Sequence, residues 1–134
     1  MITAAPNPAK ERYPVLANDR LILNDLRDHL LATLSGVIRR IVLFGSRARD
    51  DFDPSSDMDV MVVMNDCTPS ALERARAVRY EVMQRWQFEP LISLLLLSEQ
   101  DWQDLSKHSA GLKVNIEREG LTVWPTPQVE MFPS

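Results

Sequence analysis

Apolar positions recur along this chain at helical spacing, then at strand spacing, and the alternation continues to its end. Leu23, Leu26, Leu30 and Leu34 stand three and four residues apart, which predicts an amphipathic helix from Asp19, capped by Asn18 or Asp19 and stopped by Gly36. Ile38, Ile41, Val42, Leu43 and Phe44 form a β-rich run that Arg39 and Arg40 interrupt near its start and Gly45 ends. In the next run Met58, Val60, Val62 and Met64 fall on one face of a strand, and Asp57, Asp59, Met61 and Val63 on the other. Both faces are apolar beyond Asp59, so each must be covered. Pro69 starts a helix with Leu72, Ala75, Val78, Val82 and Trp86 on one face and a favourable i, i+4 spacing of Glu81 and Arg85. Arg74, Arg76, Arg79 and Arg85 occupy the remaining faces and read as a solvated surface. Leu91 to Leu97, entered through Pro90, is a third strand, apolar enough to predict burial on both faces. Ser98 and Asp101 make a capping-box-like start for a helix through about Lys107. A last helix, Ser109 to Glu119, is expected to end in a left-handed stop at Gly120, and Leu121 to Trp124 then forms a short edge strand closed by Pro125 and Pro127.

Helices thus alternate with three or four strands, and the fold class is α/β (α+β), a small mixed sheet flanked by helices. Residues 1–18, with Pro6, Pro8 and Pro14, read as an extended lead-in, 19–125 as one domain and 126–134 as a tail. A chain of 134 residues holds a real core but not separate substrate and cofactor domains. Its net charge of −4 gives no electrostatic case for binding nucleic acid directly. Cys67, the single cysteine, precludes an intrachain disulfide and reads as a half-buried thiol at a strand end. No apolar run is long enough to span a bilayer and the amino terminus does not resemble a signal peptide, so a cytoplasmic protein without membrane contact is expected. His29 and His108 have no partner at metal or triad spacing, and Trp86, Trp102 and Trp124 read as core or interface.

The chemistry concentrates between the first two strands, from Gly45 to Asp59. Asp57 and Asp59 project from one face of a strand with Cα atoms about 6 to 7 Å apart, so the two carboxylates can share a divalent cation. Gly45 lets the backbone approach a polyphosphate, and Ser46 offers a hydroxyl and an N–H if a helical turn begins there. Arg47 and Arg49 are placed to neutralise phosphate charge. Mg²⁺ suits such a site because it takes carboxylate oxygens together with phosphate and water. A nucleotide held with its α-phosphate beside the metals describes nucleotidyl transfer. The competing reading is an acidic surface turn, in which Asp50, Asp51, Asp53 and Pro54 simply favour a loop. Gly-Ser, ten residues and Asp-x-Asp arises by chance in about one chain of this length in several hundred, given average residue usage.

Gly45, Ser46, Asp57 and Asp59 match the signature of the DNA polymerase β-like nucleotidyltransferase superfamily, and the compact chain resembles its minimal nucleotidyltransferase branch. The segment Val114 to Gly120, followed by a short strand, is similar to that branch too, so the resemblance covers roughly Leu21 to Trp124. It implies the polymerase β-like fold, Mg²⁺-ATP as donor and transfer of AMP to a hydroxyl. In the branch's antitoxin members the acceptor is a tyrosine of a HEPN-type RNase toxin, which implies a hetero-oligomer with that partner. The family's third carboxylate usually sits on the next strand, where this chain has Ser93, a poor Mg²⁺ ligand and no base at neutral pH. Glu89 shares the strand parity of Ser93 and is a candidate catalytic replacement, but it lies about 13 Å along the strand and reaches the site only if the entry at Pro90 bends inward. Three functions follow in order: a protein-modifying adenylyltransferase, a catalytically impaired module that neutralises a toxin by binding, and an adenylyltransferase for a small molecule of aminoglycoside type.

Overall fold

The computed structural model describes residues 17–49 and 54–126. Helix α1 (Ala17–Thr33) leads to strand β1 (Ile38–Phe44), a 3-10 turn (Gly45–Ala48) and strand β2 (Met58–Met64). Helix α2 (Pro69–Arg85), strand β3 (Ile92–Ser98), helices α3 (Glu99–His108) and α4 (Ala110–Glu119) and strand β4 (Leu121–Trp124) follow. The expected lead-in and tail lie outside the described residues, apart from Ala17 and Asn18, which already belong to α1, and Thr126.

The sheet runs β3-β2-β1-β4, with β1 antiparallel to β2 and β4, and β2 parallel to β3. A parallel neighbour requires a crossover, and α2 provides it. The two-faced pattern of β2 explains the layers. Met58, Val60, Val62 and Met64 pack with Leu23, Leu26 and Leu30 of α1 and Ala75, Val78 and Val82 of α2 in the larger core. Met61 and Val63 face the other way, onto Trp102 of α3 and Ile116 of α4. The α/β class with a small mixed sheet between helices is borne out, and Leu121 to Trp124 is an edge strand as expected.

Local chemistry sets the element ends. Gly36, at φ 77°, takes the left-handed conformation after α1. Thr68 accepts from the Ala71 N–H at 3.1 Å with Pro69 behind it. The Ser98–Asp101 box closes in both directions, at 2.9 and 3.2 Å.

Several expectations meet a different outcome in the structure. Gly120 is extended, at φ −68°, because its role is packing: a Cβ there would come within 2.8 Å of Val42 Cγ1. Arg85, which still feels the favourable charge of Glu81, grips Asp25 of α1 with two hydrogen bonds of 2.9 Å, while the Trp86 indole N–H donates to the same carboxylate at 3.2 Å. A fork-shaped cation favours the bidentate carboxylate over a single-point partner on its own helix. Finally, β3 is not an interior strand: it lies at the sheet's other edge, and Leu94 to Leu97 are only half-buried. Nor is the arginine face of α2 purely solvated, since Arg79 Nε donates to the Ile92 carbonyl at 2.6 Å and ties α2 to β3.

Candidate active site

The connection between β1 and β2 begins with Gly45 at φ 75°, a conformation that suits glycine. A side chain at this position would also run into the Asp59 carboxylate, since a Cβ would lie 3.2 Å from its Cγ and nearer still to Oδ2. Gly45 therefore leaves one side of that carboxylate clear. Phe44 and Asp59 are register partners across β1 and β2, which brings the turn up against the carboxylate. A helical turn does start at Gly45, as the sequence suggested. The Ser46 hydroxyl donates to Ser56 Oγ at 3.0 Å and so joins the two arms of the connection.

Arg47 has a different role from the one its neighbours suggested. It is only 6 % exposed, and Asp19 of α1, its ion-pair partner, is 3 % exposed. Nη1 of Arg47 lies 3.0 Å from both Asp19 carboxylate oxygens. Its Nε and Nη2 donate to the Ser56 carbonyl at 3.1 and 3.0 Å, and Nη2 to the Pro54 carbonyl at 2.9 Å. A guanidinium so committed is not available to a phosphate, so the expected nucleotide contact from Arg47 is corrected to an internal clamp. The clamp holds Ser56, and with it the backbone leading to Asp57. Sequence reading missed Asp19, which looked like a helix cap, and Ser56; an arginine flanked by glycine, serine and alanine in a connection was the available signal.

Asp59 is half-buried at the start of β2, on the same strand face as Met61 and Val63, and Asp57 is exposed just before the strand. Burial pushes the Asp59 carboxyl above the usual carboxylate range and the Asp57 charge adds to this, while Arg49 opposes it. A carboxylate whose proton affinity is raised by burial and by a neighbouring carboxylate, with a side-chain-free approach at Gly45, fits a divalent cation, and Asp57 and Asp59 are the residues that would hold it. Arg49 forms an ion pair with Glu119 of α4 at 3.2 Å and is half-exposed, so its guanidinium stands at the rim of the site.

The raised Asp59 value has a sign. Between the ordinary carboxylate value and the raised one, the metal-free folded chain retains a proton that the unfolded chain releases. Asp59's contribution to stability therefore falls as pH rises through the carboxylate range, opposite in sign to that of Asp25, whose carboxyl is lowered. Asp59→Asn is expected to be more stable than the unmutated chain at pH 7 without metal, and to lose part of that pH dependence. Denaturant unfolding at pH 3.5 to 7 with a chelator present checks both.

Ser93 is the register partner of Asp59 on β3 and points to the same face, so a serine stands beside the carboxylate pair. Glu89 does not replace it. The strand begins only at Ile92, Glu89 is exposed ahead of the cis Glu89–Pro90 peptide, and the described residues contain no group of three or more His, Cys, Asp or Glu side chains that could hold a metal. The catalytic expectation for Glu89 is therefore corrected. His29 and His108 take no part in such a group either.

A family model described as "Polymerase beta, Nucleotidyltransferase" matches residues 29–127, well over half of the chain and the whole of the site. The chain belongs to this family. As a polymerase beta-type nucleotidyltransferase it is a transferase, and the mixed sheet flanked by helices is that family's fold. A relative from Methanocaldococcus jannaschii, named "Putative protein adenylyltransferase MJ0141", is 27% identical over 56% of this chain and 75% of its own length. Among solved structures, a "putative nucleotidyltransferase" from Sulfolobus solfataricus is 15% identical, with a TM-score of 0.49 over 89% of this chain and 88% of that one. A chain from the complex of tri-AMPylated Shewanella oneidensis HEPN toxin with MNT antitoxin is 18% identical, with a TM-score of 0.49 over 83% of this chain and 74% of that one.

Proposed function

We propose that this nucleotidyltransferase moves AMP from ATP, with Mg²⁺, to a hydroxyl of a protein partner, and that the partner is a HEPN-type toxin which the modification silences. The observation that carries the transfer reading is the pair of Asp57, just before β2, and Asp59, at its start, with Asp59 raised by burial and by its neighbour and Gly45 leaving its approach open. A divalent cation bound there neutralises phosphate charge and makes the acceptor hydroxyl more acidic. The chain's own residues bring the rest. Arg47 holds the connection so that Asp57 and Asp59 keep their spacing, Gly45 admits the phosphates, and Arg49 stands at the rim with a cation for the departing pyrophosphate. In the exchange the acceptor oxygen bonds the α-phosphorus, the bond to the β-phosphate oxygen breaks and pyrophosphate leaves. The protein acceptor is supported by the name of the Methanocaldococcus jannaschii relative. The toxin partner rests on the similarity of Val114 to Gly120 and the following strand to the minimal nucleotidyltransferase branch, which includes antitoxins of HEPN-type toxins.

One observation favours a second reading. Ser93 stands where a third carboxylate would complete the site, and a chain that keeps the fold but turns over slowly would neutralise a toxin by occupying it. The test is incorporation of label from ATP into a coexpressed HEPN-type toxin, compared with protection from that toxin by the Asp57→Ala, Asp59→Ala double variant. Label that requires both carboxylates supports transfer; protection that survives their loss supports occlusion. Because Glu89 stands clear of the site, Glu89→Ala is expected to leave the transfer rate within about twofold. A drop of orders of magnitude in a correctly folded variant would return Glu89 to the machinery.

A further inference from the structure

The third strand carries an open edge that leads to the carboxylates. The Met58 N–H donates to the Leu91 carbonyl at 2.8 Å, and Met58 pairs with Ile92 in a parallel register. In a parallel ladder this directs the backbone groups of Leu91, Ser93, Leu95 and Leu97 toward β2 and those of Ile92, Leu94, Leu96 and Ser98 outward. The outward groups at the two ends have side-chain partners. Ile92 N–H meets Met83 Sδ at 3.2 Å, the Ile92 carbonyl accepts from Arg79, and Ser98 N–H donates to Asp101. Between them the N–H and C=O groups of Leu94 and Leu96 face a groove of about 500 Å³. Among the described residues no strand covers them. Nor does β3 carry the usual protection of an edge, since Ile-Ser-Leu-Leu-Leu-Leu-Ser has no proline, lysine or other charge.

The groove has a direction and a charge. Its walls run from Asp57 and Ser93 along Leu94 and Leu96, with Arg76 and Arg79 of α2 alongside and Asp101 of α3 also on the wall. Arg76 is exposed and has no hydrogen-bond or ion-pair partner among the described residues. At the carboxylate end the wall is Leu91, 49 % exposed, and the same loop and α2 present Phe88 at 40 % and Tyr80 at 54 %, in edge-to-face contact at 5.7 Å. We infer that an extended segment of the acceptor protein, apolar with acidic residues, adds to β3 as a fifth strand and so delivers its hydroxyl to Asp57 and Asp59. This rests on the transfer reading for its purpose but not for its geometry. A segment paired at Leu94 and Leu96 advances about 3.3 Å per residue, so a hydroxyl-bearing side chain within a few positions of the paired stretch reaches the site. Extended peptides recognise an edge through main-chain hydrogen bonds and use alternate side chains for specificity, which accounts for an apolar edge beside Arg76, while Arg79 is held on the Ile92 carbonyl.

The probe is the coexpressed HEPN-type toxin, and the readouts are amide exchange at Leu94 and Leu96, affinity for the toxin, and Mg²⁺-ATP binding by the isolated chain. Toxin binding is expected to slow exchange at both amides. Leu94→Pro removes an outward N–H that β2 does not use, and with Arg76→Glu it is expected to weaken toxin binding at least about tenfold while Mg²⁺-ATP binding stays unchanged. Arg76→Glu, a surface change, keeps the test intact if Leu94→Pro fails to fold. Fast exchange at both amides in the complex, unimpaired toxin binding by folded Leu94→Pro or Arg76→Glu, or absence of toxin binding altogether would overturn the inference. So would protection of these amides in the isolated chain, which would mean that a second copy or the chain itself covers the edge. Edge protection by the toxin without any AMP transfer would instead leave the docking strand in place and remove the transfer reading.

Discussion

Asp57→Ala is expected to reduce the proposed AMP transfer by on the order of 10³-fold or more, and Asp59→Ala to do the same, with each variant still folded. The size of the effect follows from the shortage of ligands. With Ser93 beside Asp59 and no third carboxylate gathered from the described residues, each aspartate is half of the protein's own charge toward a divalent cation. The two residues differ in their apo cost. Asp59 is half-buried and its proton affinity is raised by burial and by Asp57, so its loss relieves the metal-free fold. Asp57 is exposed, and its removal has little effect on stability. Initial rates of label incorporation at saturating Mg²⁺, with unfolding curves for the same preparations, separate lost chemistry from lost structure. A transfer rate within tenfold of the unmutated chain for either variant would mean that the cation is held elsewhere.

The largest stability effect is expected at Arg47. Replacing it by alanine leaves Asp19 buried without its partner and frees the carbonyls of Pro54 and Ser56, and breaking a buried pair in this way costs about 3–5 kcal/mol. Arg47→Lys retains the charge but not the fork that contacts Asp19 and two carbonyls together, so it is expected to fall between the two. The distinction from a phosphate contact is kinetic. A phosphate ligand lost would raise the KM for ATP in a stable protein, whereas a clamp lost lowers the melting temperature and reduces transfer as Asp57 loses its support. Thermal unfolding and ATP-dependence of the rate, measured together, decide between them. An Arg47→Ala variant of unchanged stability with a raised KM would restore the phosphate role.

Much of this architecture was legible because β2 carries its own instructions. The alternation of Met58, Val60, Val62 and Met64 against Met61 and Val63 required two covering layers, and α1 with α2 and α3 with α4 supply them. The spacing of Asp57 and Asp59 on that same strand put the candidate site at its start, and the resemblance placed Ser93 where the register now sets it, beside Asp59. What sequence could not show was anything that depends on which neighbour a group finds. A run of leucines reads as interior whether it lies between strands or along a groove, so the edge position of β3 was invisible. Arg47 and Arg49 look alike in the chain, yet one is buried on Asp19 and the other is half-exposed on Glu119, because only the path of α1 brings a carboxylate to the first. Gly120 was read for conformation when its reason is contact with Val42, a residue distant in sequence.

Among the described residues no helix is long and apolar enough to cross a membrane, so the open sheet edge and the carboxylates are both presented by a domain without a helical span. The central claim is that Asp57 and Asp59 serve transfer of a nucleotide to a protein hydroxyl. The direct test supplies the coexpressed toxin and this chain, with Mg²⁺, with ATP labelled at the α-phosphate in one reaction and at the γ-phosphate in another. The account predicts covalent label on the toxin from the α-position only, lost in Asp57→Ala. Label from the γ-position, or silencing of the toxin with no label from either, would contradict it.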